Sequence, residues 1–149
     1  MIMLVQNPKE VADKLESISK DVVRSGAMPI ITKNGILIGT YIIQPKNGQY
    51  NIKHGSKTLY STYSKSAAMI VSRMLTKRIS GTDINEVLEA DRIAFSARQD
   101  LEIFKHQIKV AEKNNNPLKE ELYTTRFEVT DQKYQQAKAV LQKSYSLLF

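Results

Sequence analysis

Residues 28–63 read MPIITKNGILIGTYIIQPKNGQYNIKHGSKTLYSTY. Runs rich in Ile, Thr and Tyr alternate there with turn dipeptides, the pattern of strands joined by tight hairpins. Asn34-Gly35 and Asn47-Gly48 are the strong turn signals, because Asn and Gly tolerate the positive φ angles of a type I′ turn. His54-Gly55-Ser56 is a third, weaker one. Four strands are predicted, over 28–33, 36–44, 49–54 and 57–62. Short connections make neighbours antiparallel, so the arrangement is a meander. Pro45 closes the second strand and, having no N–H to donate, places that strand end at an edge or a bulge.

Helices flank this stretch. Upstream, Asn7 is a cap, Pro8 fills the first helical position and Glu10 stands three residues past the cap. Val11, Leu15, Ile18 and Val22 then form one apolar stripe, and Ser25-Gly26 ends the helix. Downstream, a helix is predicted from Ser64 to Lys77, with Ala67, Ala68, Val71, Met74 and Leu75 as the face that covers the sheet. Gly81 is expected to stop it, and Asp83 with Glu86 makes a capping box for the next helix.

The remainder is different in kind. Val87, Ala94, Leu101 and Ile108 are seven apart, and Ala90, Ala97, Phe104 and Ala111 follow three residues behind. Every a and d position over four heptads is apolar, a specific coiled-coil signal. Asn114-Asn115-Asn116 reads as a loop and Pro117 suits the first turn of the next helix. A second series follows: Phe127, Tyr134, Leu141 and Leu148, interleaved with Tyr123, Thr130, Ala137 and Ser144. So short a loop permits only an antiparallel helical hairpin. A two-helix hairpin has little core of its own, so it packs against a copy of itself, another protein or the first half of this chain, and Val87, Ala94, Leu101, Phe104, Ile108, Phe127, Tyr134 and Leu141 are candidate oligomerisation residues, in a homo-oligomer or against a protein partner. The apolar C-terminus, Leu147-Leu148-Phe149, completes helix packing within the chain or serves as a docking tag. The predicted fold is therefore α+β, with a helix–meander–helix domain over 1–81 and a coiled-coil hairpin over 82–149.

Composition limits what such a chain does. At 149 residues, with 42% hydrophobic and 25% charged, it is one ordinary globular domain or a small domain with an extended appendage. The absence of Cys excludes disulfides, thiolate metal sites and Cys nucleophiles, and two His leave little for zinc. The longest apolar runs are far below the roughly 18 residues a membrane span needs, and the first residues lack a basic leader region. The host cytoplasm or a virion is the expected location.

Charge is sorted unevenly. From Val22 to Thr82 there is no Asp or Glu, while Arg24, Lys33, Lys46, Lys53, Lys57, Lys65, Arg73, Lys77 and Arg78 give +9. The segments on either side each carry −1, so the net +7 belongs to the sheet and its helix. Such a module attracts polyanions. Tyr50, Tyr60 and Tyr63 are interleaved with Lys46, Lys53, Lys57 and Lys65, and tyrosines stack bases while lysines contact phosphates. These seven are the candidate nucleic-acid-binding residues. Scarce Arg in the strands points to non-specific, single-stranded binding rather than base reading. The competing reading is a solvated face: Tyr and Thr favour strands, acids are depleted in them, and edge lysines block aggregation.

Catalysis finds little footing. The sheet half has no carboxylate pair, His54 and His106 have no partner pattern, and no Gly-rich phosphate loop is present. Glu86, Glu89 and Asp91 read as dipole-complementing, solvated residues rather than a metal cluster. No enzyme and no cofactor is expected.

Gln49-Tyr50-Asn51-Ile52-Lys53, then Thr58-Leu59-Tyr60-Ser61-Thr62-Tyr63, then Ala67-Ala68-Met69-Ile70-Val71, followed by two long charged helices, resembles the layout of small uncharacterised proteins encoded by tailed phages of marine bacteria. That resemblance implies a phage accessory or virion protein. The order of four antiparallel strands and a helix is similar to the Whirly-type single-strand-binding fold, which pairs two such units. The expectation is a non-catalytic, oligomeric nucleic-acid-binding protein. The alternatives are a virion assembly protein, or an accessory protein that binds a host protein through the hairpin.

Overall fold

The computed structural model describes residues 28–79 and 81–149. The N-terminal helix predicted over 8–24 lies outside them. The sheet has five strands rather than four: β1 (Ile30–Thr32), β2 (Gly35–Ile38), β3 (Tyr41–Lys46), β4 (Gln49–His54) and β5 (Lys57–Thr62). They pair in sequence order, every neighbour antiparallel, so the meander stands. The extra strand arises because the predicted run 36–44 turns over at Gly39-Thr40, where Gly39 takes φ +61°.

Asn47 and Gly48 both adopt positive φ (53° and 79°), as the hairpin reading requires. The first hairpin turns differently. Its two turn residues are Lys33 and Asn34, and Gly35 is already paired with Thr32. A Cβ on Gly35 would stand 2.2 Å from the Ile43 carbonyl oxygen, so close backbone approach fixes that glycine. Thr32 Oγ1 donates to the Gly35 carbonyl at 2.8 Å, and Gln44 Nε2 donates to the Asn34 carbonyl at 2.9 Å. Pro45 is tolerated because β2 pairs with β3 only as far as Ile43, which leaves Pro45 a neighbour on one side alone.

Helix α1 (Lys65–Thr76) lies on one face of the sheet. Ile38, Ile43 and Ile52 meet its Ala67, Ala68, Met69, Ile70, Val71 and Met74 in a buried core. Ser64 caps it, its Oγ accepting from Ala67 N. The helix ends at Lys77 and Arg78, before the Gly81 expected to stop it. Arg78 adopts φ +58°, and the paired bonds Ile79 N to Met74 O and Arg78 N to Leu75 O close a Schellman turn on a non-glycine residue.

Gly81 instead opens α2 (Gly81–Lys113), two residues ahead of the expected capping box. Asn115 (φ +51°) closes α2 with a second turn of the same kind. Asn116 caps α3 (Pro117–Leu148), accepting from Lys119 N, with Pro117 in the first helical turn. The two long helices pack along each other.

The core does not stop at the predicted boundary after residue 81. Ile84, Val87 and Ala90 of α2 and Ala137 and Leu141 of α3 belong to the same buried cluster as the sheet isoleucines. Leu148 and Phe149 pack against that cluster, and Arg73 Nε donates to the Leu148 carbonyl, so most of the apolar C-terminus completes internal packing. From the level of Asp91 the two helices run on past the sheet, at 1.5 Å per residue an arm of roughly 33 Å.

Candidate nucleic-acid interface

Strand register decides which side chains share a surface. Ile36, Ile43, Ile52 and Tyr60 are successive cross-strand partners, as are Pro45, Tyr50 and Thr62. Both rows face α1, and Tyr50 and Tyr60 pack against the core. The opposite face carries Ile30, Leu37, Ile42, Lys53 and Thr58 in one row and Gln44, Asn51 and Ser61 in another. The structure therefore separates Tyr50 and Tyr60 from Lys53. The alternation of β4 puts adjacent residues on opposite faces, and sequence alone leaves register uncertain by one residue. Tyr63 follows β5 and stacks on Phe95 of α2, ring centroids 4.3 Å apart and 13° between planes.

Apart from Lys53 on the outer face, the lysines of the sheet fall at its two ends. β1, β3 and β5 run in the same direction, so Lys33, Lys46 and Lys65 follow or close strands at one common end. All three are exposed. Alternate strands stand roughly 10 Å apart, which spaces the row. Lys57 sits at the other end, with His54 opposite it. Lys77 and Arg78 join that end, since α1 runs back across the sheet until Thr76 reaches Gly39. Arg73 is buried, and that burial lowers its pKa. It contributes nothing to a surface patch.

The end with Lys33, Lys46 and Lys65 is the richer one, because it abuts the arm. Tyr63 and Phe95 stand there. Arg98 lies seven residues beyond Asp91 and leaves α2 in the same direction, toward this corner; Glu102, seven beyond Phe95, is the first carboxylate along that face. The sequence reading missed Lys33 and Arg98. Fixing the register of the meander would have placed Lys33, whereas Arg98 depends on how α2 docks.

Asp91 is the carboxylate of the long helices that reaches this corner. It is 3% exposed, accepting from Tyr63 N at 2.7 Å and from Ser64 Oγ at 2.7 Å. Far from being a solvated dipole partner, it clamps the junction of β5 and α1 onto α2. It is held by these donors rather than by a lysine. Among the described residues, Lys33, Lys46, Lys53, Lys57, Lys65 and Lys77 take part in no ion pair.

The predicted oligomerisation residues divide between the chain's own core and partly exposed positions. Val87 and Leu141 are buried in the core and Ala94 packs against it. Leu101, Phe104, Ile108, Phe127 and Tyr134 are half-buried. The two long helices that carry these residues contact each other along their length.

Among the described residues no group of three or more His, Cys, Asp or Glu side chains is placed to hold a metal ion, and no helix is long and apolar enough to cross a membrane. No protein-family model, curated protein or solved structure matches the chain.

Proposed function

We propose that the protein is a non-catalytic nucleic-acid-binding protein that grips the sugar-phosphate backbone of single strands at the strand-end corner. Lys33, Lys46, Lys65 and Arg98 would contact phosphates, and the stacked Tyr63–Phe95 pair would offer a ring to a base. The supporting observation is that Lys33, Lys46 and Lys65 are exposed at one strand end and take part in no ion pair among the described residues, so that the corner stays net positive with the Asp91 carboxylate counted. This reading gives up Tyr50 and Tyr60 as stacking platforms and moves Lys53 and Lys57 off the main contact. Its location would be the host cytoplasm or a virion.

Paired charge reversals test it. With a labelled single-stranded oligonucleotide, Lys46→Glu with Lys65→Glu is expected to weaken binding by at least tenfold. Lys57→Glu with Lys77→Glu, at the other end, is expected to stay within about threefold. Equal losses from both pairs, or no binding by the parent protein at low salt, would defeat the proposal.

The second reading is a phage assembly protein, or a host-directed accessory, that works through the hairpin. It is favoured by apolar side chains left exposed along the arm, such as Ile103 and Val129.

A further inference from the structure

Among the described residues, α1 covers the base of the hairpin on one flank and leaves the opposite flank open. On the open flank a furrow of about 920 Å³ runs between α2 and α3, floored by Ala90, Ala97 and Ala137 with Ile93 and Val140 beside them. A smaller hollow near the loop, lined by Gln107, Val110, Ala111 and Tyr123, continues it. Heptad spacing places both on the same side: Ile93 and Gln107 are two heptads apart, as are Tyr123 and Ala137.

The furrow is rimmed by large apolar side chains. Ile103 and Val110 of α2 lie one and two heptads beyond Ser96, which lines the furrow. Leu122 and Val129 of α3 precede Gln136, another lining residue, by two heptads and one. Ile103 and Val129 are each 53% exposed. Valine and isoleucine at such spacing on a water-facing side mark an interaction surface.

The two walls carry opposite charge. On α2 the heptad positions of this flank hold Glu86 and Asp100, with Glu89 already paired to Arg92. On α3 the corresponding positions hold Lys119, Arg126, Lys133 and Lys143. Asp100 and Lys133 both line the furrow, and neither takes part in an ion pair among the described residues.

We propose that this flank binds a second copy of the chain, two hairpins packing face to face about a two-fold axis along the helices. That symmetry lays the acidic α2 of one chain over the basic α3 of the other, so Asp100 comes opposite the partner's Lys133 twice over. Two helices about 10 Å wide and some 45 Å long offer roughly 900 Å² per chain, above the ~800 Å² per partner of a stable interface. The sheets stay on the outer flanks, clear of the contact. The proposal is independent of the nucleic-acid reading, because its surface shares no residue with the strand-end corner.

Sedimentation equilibrium on the full chain tests it. Two-chain species are expected at micromolar concentration, and Ile103→Glu with Val129→Glu should leave single chains with an unchanged circular dichroism spectrum. Asp100→Lys or Lys133→Asp alone should each loosen the dimer by about tenfold, and the two together should restore it. A parent chain that stays single at every concentration would overturn the proposal, as would a double charge swap no tighter than either single one.

Discussion

Truncating Asp91 to Ala would strip the partner from two donors at once, the Tyr63 N–H and the Ser64 hydroxyl. Both sit in a part-buried junction, and losing charge-assisted bonds there is expected to cost about 2–4 kcal/mol in urea unfolding. The role of this residue was not legible in the sequence. Its neighbours Glu89 and Arg92 face water, and burial of Asp91 is set by the approach of a strand end 28 residues away. Tyr145 offers a second test at this scale. Its hydroxyl is buried with no hydrogen-bond partner among the described residues, its ring stacks on Phe149, and burial pushes its pKa up to about 12. The folded chain favours the neutral phenol. Its contribution is therefore intact below pH 10 and is lost as pH rises from 10 through about 12. Ultraviolet titration should show one tyrosine ionising near that upper value, and Tyr145→Phe should remove that step.

Each element's end follows from local chemistry, and most of those ends were readable. Ser64, Asn116, Pro117 and the Asn47-Gly48 turn all act as their residue types suggest. Arg78 does not: nothing in its type announces a left-handed conformation. That backbone costs a non-glycine residue about 1–2 kcal/mol, against the 0.5–1 kcal/mol of entropy that a glycine loses on folding. Arg78→Gly is therefore expected to stabilise the chain by roughly 0.5–1 kcal/mol in thermal unfolding, provided the Schellman turn sets this helix end. The split of one predicted strand at Gly39 was also missed. Gly39-Thr40 lacks a strong turn signature, and its place beside Thr76 is fixed by the packing of α1. Within the long helices, the seven-residue spacing singled out Val87, Ala94 and Leu141, which lie in or against the core. It also drew attention away from Ile103, Val110, Leu122 and Val129, which recur at the same period on the flank left open among the described residues.

At the scale of the whole molecule, one core joins the sheet, its helix and the base of the hairpin, so the chain unfolds as a unit through that region. Among the described residues the charge separation seen in the sequence survives folding, because α2 and α3 bring no carboxylate into an ion pair with a lysine of the sheet. What folding changes is its distribution: the cations gather at two strand ends rather than on one tyrosine-bearing face. Composition held the amount of charge, but only the strand register and the path of α1 held its position. The most direct test of the central claim is the salt dependence of binding to a labelled single-stranded oligonucleotide. If three to five phosphates are neutralised at the strand-end corner, log K should fall against log salt with a slope of roughly −2 to −3.5, and Lys46→Glu should make that slope shallower by about 0.7. A flat salt dependence, or no binding at low salt, would contradict the account.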